Sequence, residues 1–163
     1  MTIAEWCLFA SVMTYLLTLA PAKLITPRTF DNSRPRDPDF YADPRRARLQ
    51  GAHQNGMEAF PFFAAAVLLA EYRGAPQTIV DWLAVAFVVT RLLYVFAYVG
   101  NRPTVRTMLW NAAFAFNAGI FFLAGFGVEG ARIATGIGLG WALVLAPLMK
   151  WLEGFRSSDD GAN

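Results

Sequence analysis

Apolar residues in this chain are gathered into long runs, each close to the ~20 residues that cross a hydrocarbon core. The first run is Ile3 to Ile25, broken only by Glu5 near its start and Pro21-Ala22-Lys23 near its end. A second helix is expected from about residue 46 to Tyr72. Only Met57–Ala70 of it is strongly apolar, so its first two turns belong in or near the headgroups. Arg73-Gly74-Ala75-Pro76 stops it, because Gly and Pro are the residues that end helices. A third helix is expected over Gln77–Val99, ending at Gly100-Asn101. Pro103 suits the first turn of a fourth, where a missing N–H costs nothing, and that helix continues to Phe126. A polar break, Gly127–Arg132, separates a fifth apolar run from Ile133 to Leu152. The pattern predicts an all-α integral membrane bundle forming one domain over residues 1–156. Its helices fall at about 3–25, 46–72, 77–99, 103–126 and 133–152, with a loop at 26–45 and a short, polar, disordered tail at 157–163.

The competing reading of the first run is a cleaved signal peptide, with Ala20-Pro21-Ala22 as the cleavage site. The run lacks a cationic start, and its apolar part exceeds a typical signal core, so a retained span is expected. Loop charges then orient the bundle. With the amino terminus outside, the inner segments hold eleven cations: Lys23, Arg28, Arg34, Arg36, Arg45, Arg46, Arg48, Arg102, Arg106, Lys150 and Arg156. The outer segments hold Arg73 and Arg132. That bias places the first loop in the cytoplasm.

Composition sharpens this. The chain is 56% hydrophobic and 16% charged, against about 25% charged in a soluble domain. It has no basic stripe interleaved with aromatics, which argues against nucleic acid as a partner. Cys7 is the lone cysteine and His53 the lone histidine, so neither a disulfide nor a multi-residue thiolate or imidazole metal centre is expected.

Ionisable groups at membrane depth cost at least a few kcal/mol unless compensated. Glu58, in the second helix, and Arg91, in the third, lie at similar depth, about 13–15 Å from the same membrane face at 1.5 Å per residue. They are expected to face each other or to share a polar cavity; a purely structural ion pair is the alternative. Gly51, Asn55, Glu58 and Phe62 repeat at i, i+4, i+7 and i+11 on one helical face, with Gln54 beside Glu58 at i+4. Arg91, Tyr94 and Tyr98 share a face of the third helix, and Arg106 sits one turn into the fourth. Pro61 removes a backbone hydrogen bond just beyond Glu58, so a kink is expected there. These features describe a polar pocket with a cationic mouth and apolar walls, suited to an anionic ligand beside a lipophilic one.

The run Gly51-Ala52-His53-Gln54-Asn55-Gly56-Met57-Glu58-Ala59-Phe60-Pro61 resembles the second-helix signature of the membrane-associated proteins in eicosanoid and glutathione metabolism (MAPEG). Arg91-Leu92-Leu93-Tyr94-Val95-Phe96-Ala97-Tyr98, followed by Arg106, resembles that family's third and fourth helices, and the likeness covers about Ile3–Phe126. The resemblance implies a four-helix bundle assembled as a homotrimer in lipid, in a bacterial inner membrane for a bacterial-type member. It implies glutathione bound between subunits near the cytoplasmic side, and a transferase or peroxidase acting on a lipophilic substrate. By position, Asn55 and Glu58 would bind the tripeptide's backbone and amino end, and Tyr94 and Tyr98 would line its site. Arg91 would support them, with His53 alongside, and Arg106 would stabilise the thiolate.

Three features depart from that pattern. Gly51 stands where glutathione-using members carry Arg, leaving Arg48, one turn earlier, to reach the same carboxylate. The first loop, Thr26–Asp43, is long and rich in Pro, Arg and Asp and could cover the mouth or dock a partner. The fifth run lies beyond the family's four helices, and its Gly136 and Gly140 form a small-xxx-small face suited to close packing. Two alternatives follow: a non-catalytic subunit that docks to or stabilises a larger membrane complex, and a lipid- or small-molecule-binding protein that keeps the pocket without the chemistry.

Overall fold

The structure is a computed structural model that describes residues 1–24 and 30–159. Four helices make up most of the described chain: α1 (Ile3–Leu24), α2 (Pro44–Tyr72), α3 (Gln77–Val99) and α4 (Pro103–Asp159). A single 3-10 turn, Phe40–Ala42, precedes α2. The protein is an integral membrane helical bundle. Among the described residues α1, α3 and 103–149 of α4 are long and apolar enough to cross a membrane. α2 is as long, but Arg45, Arg46, Arg48, His53, Asn55 and Glu58 occupy its first half.

Local chemistry sets the ends of these helices. Glu5, which interrupts the first apolar run, closes a capping box. The Glu5 N–H donates to Thr2 Oγ1 (3.1 Å) while the Thr2 N–H donates to Glu5 Oε2 (2.7 Å). The same turn is sewn to its neighbours: the Ala4 N–H donates to Asp81 Oδ1 (2.9 Å), and Thr2 Oγ1 donates to Glu71 Oε1 (2.9 Å). Gln77 Nε2 bridges Glu71 and Asp81 at 3.0 and 2.9 Å. α1 is thereby locked into the bundle at its first turn, with Ala4 and Cys7 in the core.

α2 begins at Pro44, two residues before the expected start. The Asp43 carboxylate accepts from the N–H groups of Arg45 (3.0 Å) and Arg46 (3.1 Å), and Pro occupies the first helical position. Pro61 lies inside α2, which continues through it as one helix. α2 ends on Gly74 in the left-handed region (φ 63°), where the Ala75 N–H reaches back to the Ala70 carbonyl at 3.0 Å. The α3–α4 connection turns on Asn101 (φ 54°), and the Arg102 N–H returns to the Ala97 carbonyl at 2.9 Å.

The fifth apolar run differs from expectation in two ways. Its separation from the fourth helix is confined to Gly127 (φ 68°, ψ −163°), and residues 128–132 are already helical. Glu129 and Arg132 form an exposed i,i+3 pair at 3.1 Å, so the polarity read as a break is a solvated helical turn. The two arms of α4, 103–126 and 128–159, fold back as a hairpin. A Cβ added at Gly138 would lie 2.5 Å from Ala115 Cβ, and one at Gly119 would collide with Thr135 Oγ1. The packing face is Ala131, Thr135, Gly138 and Ala142, spaced i, i+4, i+7, i+11. Gly136 and Gly140, expected to make the close contact, are exposed with nothing within 4 Å. Of the tail expected to be disordered, Ser157–Asp159 continue the helix, and residues 160–163 lie outside the described residues.

The core is built from small residues and a few aromatics. Phe63 of α2 stacks on Phe87 of α3 (centroids 4.0 Å, 16° between planes), flanked by Ala66, Val67, Ala70, Val80 and Ala84, with Ile120 and Leu123 from α4. Alanine-rich faces let the helices approach closely, which is how helices associate in lipid. The flanks are apolar and exposed, as at Trp6, Leu17, Trp82, Phe96 and Ile137. A lipid-facing surface is built this way.

Candidate functional site

The polar positions of α2 and α3 converge with the start of α4. Arg91 is the centre of the arrangement. Only 5% of its surface is accessible, and its guanidinium lies over the Tyr94 ring at 4.3 Å from the centroid. Tyr94 meets Tyr98 edge-on (5.6 Å), and the Arg106 guanidinium lies over Tyr98 at 4.7 Å. The result is a continuous ladder of Arg91, Tyr94, Tyr98 and Arg106, two rings in contact with a cation at each end, across the α3–α4 connection. The two cation–ring contacts each draw on attraction between a cation and a ring's negative face, roughly 0.5–2 kcal/mol depending on desolvation. Neither arginine has a carboxylate within 4.0 Å among the described residues.

Two cavities border the ladder. The first, about 290 Å³, opens beside Tyr94, Tyr98, Arg106, Thr107 and Trp110. The second, about 180 Å³, is more enclosed. Its polar lining is Asn55, Glu58, Arg91 and Asn117; its apolar walls are Ala59, Phe62, Phe87, Trp110, Ala113 and Phe114. Trp110 forms part of both walls. Asn55, Glu58 and Phe62 thus share one face toward the second cavity, as their spacing predicts. Glu58 and Arg91 also meet there, as lining groups and not as an ion pair. Glu58 sits on the exposed flank of α2, where Asn55 Nδ2 donates to its Oε2 at 3.4 Å, whereas Arg91 is buried and turned onto Tyr94.

The remaining expected site residues are placed elsewhere. His53 Nδ1 is 2.7 Å from the Tyr15 carbonyl and its ring meets the Tyr15 ring edge-on, so it joins α2 to α1. Arg48 Nε donates to the Val99 carbonyl at 3.2 Å, where it satisfies a last-turn carbonyl of α3. Gly51 has a specific consequence: a Cβ there would lie 2.5 Å from the Tyr98 hydroxyl oxygen. The Tyr98 phenol occupies the space that a larger side chain on this turn of α2 would take.

Asn117 was not anticipated. It is 2% exposed, lines the enclosed cavity, and its Oδ1 has no hydrogen-bond partner among the described residues; Asn55 Oδ1 is in the same state. The signal was present in the sequence, since a lone amide inside the apolar stretch Phe114–Phe126 is as anomalous as a charge.

The first loop is folded where it is described. Phe30, Phe40 and Tyr41 pack edge to face (5.2 and 5.0 Å), with Lys23 over Phe30 and Arg46 over Phe40 at 4.8 and 4.3 Å. Asp31 accepts from Ser33 Oγ (2.7 Å) and its N–H (2.8 Å), which hold its carboxyl below the usual range. The loop's aromatic residues therefore brace the start of α2.

No curated protein and no solved structure matches the chain. The MAPEG family model matches residues 3–126, which takes in α1 to α3 and the first arm of α4, with every residue of the cation–ring ladder. By that match, and with the second arm of α4 lying beyond it, the chain belongs to the MAPEG family.

Proposed function

We propose that this protein binds glutathione, or a closely similar acidic thiol, and activates its sulfur as a thiolate for attack on a lipophilic substrate from the bilayer. The observation that carries this is Arg106, a cation without a carboxylate partner among the described residues, set over Tyr98 at the edge of an open cavity. A guanidinium beside a thiol favours the charged form and raises the thiolate fraction near neutral pH. In a transferase the thiolate then forms a C–S bond with an electrophilic carbon. In a peroxidase it attacks a peroxide oxygen, releasing an alcohol, and a second thiol resolves the resulting sulfenic acid to a disulfide. Asn55 and Glu58 supply hydrogen-bonding groups for the peptide's amino end, and Arg91 an anion partner. With Gly51 covered by Tyr98, a terminal carboxylate would need Arg48, one turn earlier on α2, to leave the Val99 carbonyl.

The open cavity lies on the flank of the bundle, so the reading includes a homotrimer in which a neighbouring copy closes it. The eleven-to-two bias of loop cations supports placing this end in the cytoplasm. The test is ultraviolet titration of the detergent-solubilised protein with glutathione. A thiolate band is expected that vanishes in Arg106→Ala while helix content is kept. No binding at millimolar glutathione would overturn the reading.

One observation favours a second reading, a non-catalytic subunit of a larger membrane complex. The arm 128–159 lies beyond the family match and exposes Ile133, Ile137, Trp141, Val144, Leu148 and Trp151. Purification from the native membrane in mild detergent separates the two, because a bare homo-oligomer counts against a subunit role.

A further inference from the structure

The enclosed cavity holds one polar residue that the thiol reading leaves unused. Asn117 lines it beside Asn55, and the Oδ1 of each is buried without a hydrogen-bond partner among the described residues. An unpaired acceptor is costly in a bilayer interior, where water cannot substitute. Asn117 lies fourteen residues into α4, about 21 Å along the helix axis from its start, at a depth where a leucine would fit without penalty. The rest of the wall is aromatic, with Phe62 and Phe114 5.8 Å apart and Trp110 stacked on Phe114 at 5.7 Å. At about 180 Å³ the cavity exceeds the ~150 Å³ apolar cavity that accepts benzene.

We propose that this cavity is a binding site for a compact hydroxyl-bearing aromatic ring, a phenol in chemical class, whose O–H donates to Asn117 Oδ1. The ring lies among Phe62, Trp110 and Phe114, where offset and edge-to-face contacts are available. Specificity comes from the amide. A phenol satisfies the acceptor, whereas a ring of the same shape without a hydroxyl leaves it bare. Entry is from the flank, past the exposed Glu58 and the half-exposed Trp110. The site goes beyond thiol activation and needs no glutathione. Trp110 stands between it and the Arg106 cavity, so a ring held by Asn117 leaves the sulfur's place beside Arg106 open, while it shares Asn55, Glu58 and Arg91 with the place proposed for the peptide.

The test is calorimetric titration of the full chain in detergent with 4-methylphenol and with toluene. A blank titration of protein-free detergent subtracts partition into the micelle. The wild-type protein is expected to prefer 4-methylphenol at least tenfold, equivalent to about 1.4 kcal/mol. In Asn117→Leu the preference should disappear, while the melting temperature stays level or rises because a bare acceptor has been removed. Ala59→Leu, which fills the cavity and leaves the amide in place, should abolish binding of both compounds. Equal affinities in the wild type, a preference that survives in Asn117→Leu, or rings still bound by Ala59→Leu would each overturn the proposal. So would an Asn117→Leu protein melting several degrees lower, which would make Asn117 a packing residue. The glutathione thiolate band of the wild type is read separately, so either reading can fail while the other stands.

Discussion

At the scale of single residues, Arg91 and Tyr98 invite opposite kinds of substitution. Arg91 is buried without a carboxylate partner among the described residues, and its main compensation is the face of Tyr94. Replacing a buried cation by an apolar side chain of similar length is often neutral or stabilising, because the desolvation cost goes with the charge. Arg91→Met is therefore expected to hold or raise the melting temperature while weakening glutathione binding at least tenfold in the same titration. A large drop in stability with binding intact would make Arg91 a structural residue. At Gly51 the contact is with the far end of a side chain, so the balance differs. In Gly51→Ala the Tyr98 hydroxyl can swing aside for less than about 1 kcal/mol, below the usual cost of overpacking a rigid core. Its ring then leaves Arg106. Stability should barely change while the thiolate band weakens, and an unchanged band would show that Tyr98 does not position Arg106. These residues were legible in the sequence because charges and tyrosines on a helical period stand out from apolar runs. Asn117 was not, because attention to ionisable groups passes over an amide whose cost at that depth is of the same kind.

Among the elements, α2 and the α4 hairpin show what patterning can and cannot deliver. The apolar runs made a helical membrane bundle legible, since their length leaves few other solutions. The hairpin's geometry was hidden, because Glu129 and Arg132 look like a loop whether they sit in a turn or on an exposed helical face. The break depends on one glycine, and its backbone angles are open essentially to glycine alone. Gly127→Ala should cost about 1–3 kcal/mol of stability, read by thermal melting in detergent. A comparable loss in Gly138→Leu, whose side chain would collide with Ala115, would show that the second arm is docked there. An unchanged melting temperature in both would mean that the arm is undocked in solution. At the other end, Asp43 caps α2, and its carboxyl is held below the ordinary range, chiefly by the Arg46 N–H. Its folded-state value is depressed, so its contribution is complete above the ordinary carboxylate range and is lost as pH falls through the lowered value. Hydrogen-exchange protection at Arg45 and Arg46 should therefore decline only in acid. Asp43→Asn should flatten that dependence, since asparagine caps without titrating.

For the whole molecule, the question is why a buried cationic ladder ends at an open flank. The bundle's other faces are apolar enough to meet lipid, yet Tyr94, Tyr98 and Arg106 line a cavity of about 290 Å³ that opens outward beside the partly exposed Trp110. A guanidinium at such an opening keeps access to water or headgroups, and its effect on a thiol is then diluted by the surrounding dielectric. Excluding water strengthens every charge interaction inside a site, so the proposed chemistry gains most if another copy of the chain covers the opening. Thiolate formation should then depend on assembly. In mild detergent, light scattering is expected to give three chains per particle, with a glutathione thiolate band. Moving the same sample into a harsher detergent should yield monomers that keep their helix content and lose the band, with recovery on exchange back. A monomer that retains the full band would place the whole thiol site within one bundle, and the exposed flank would then be a lipid face.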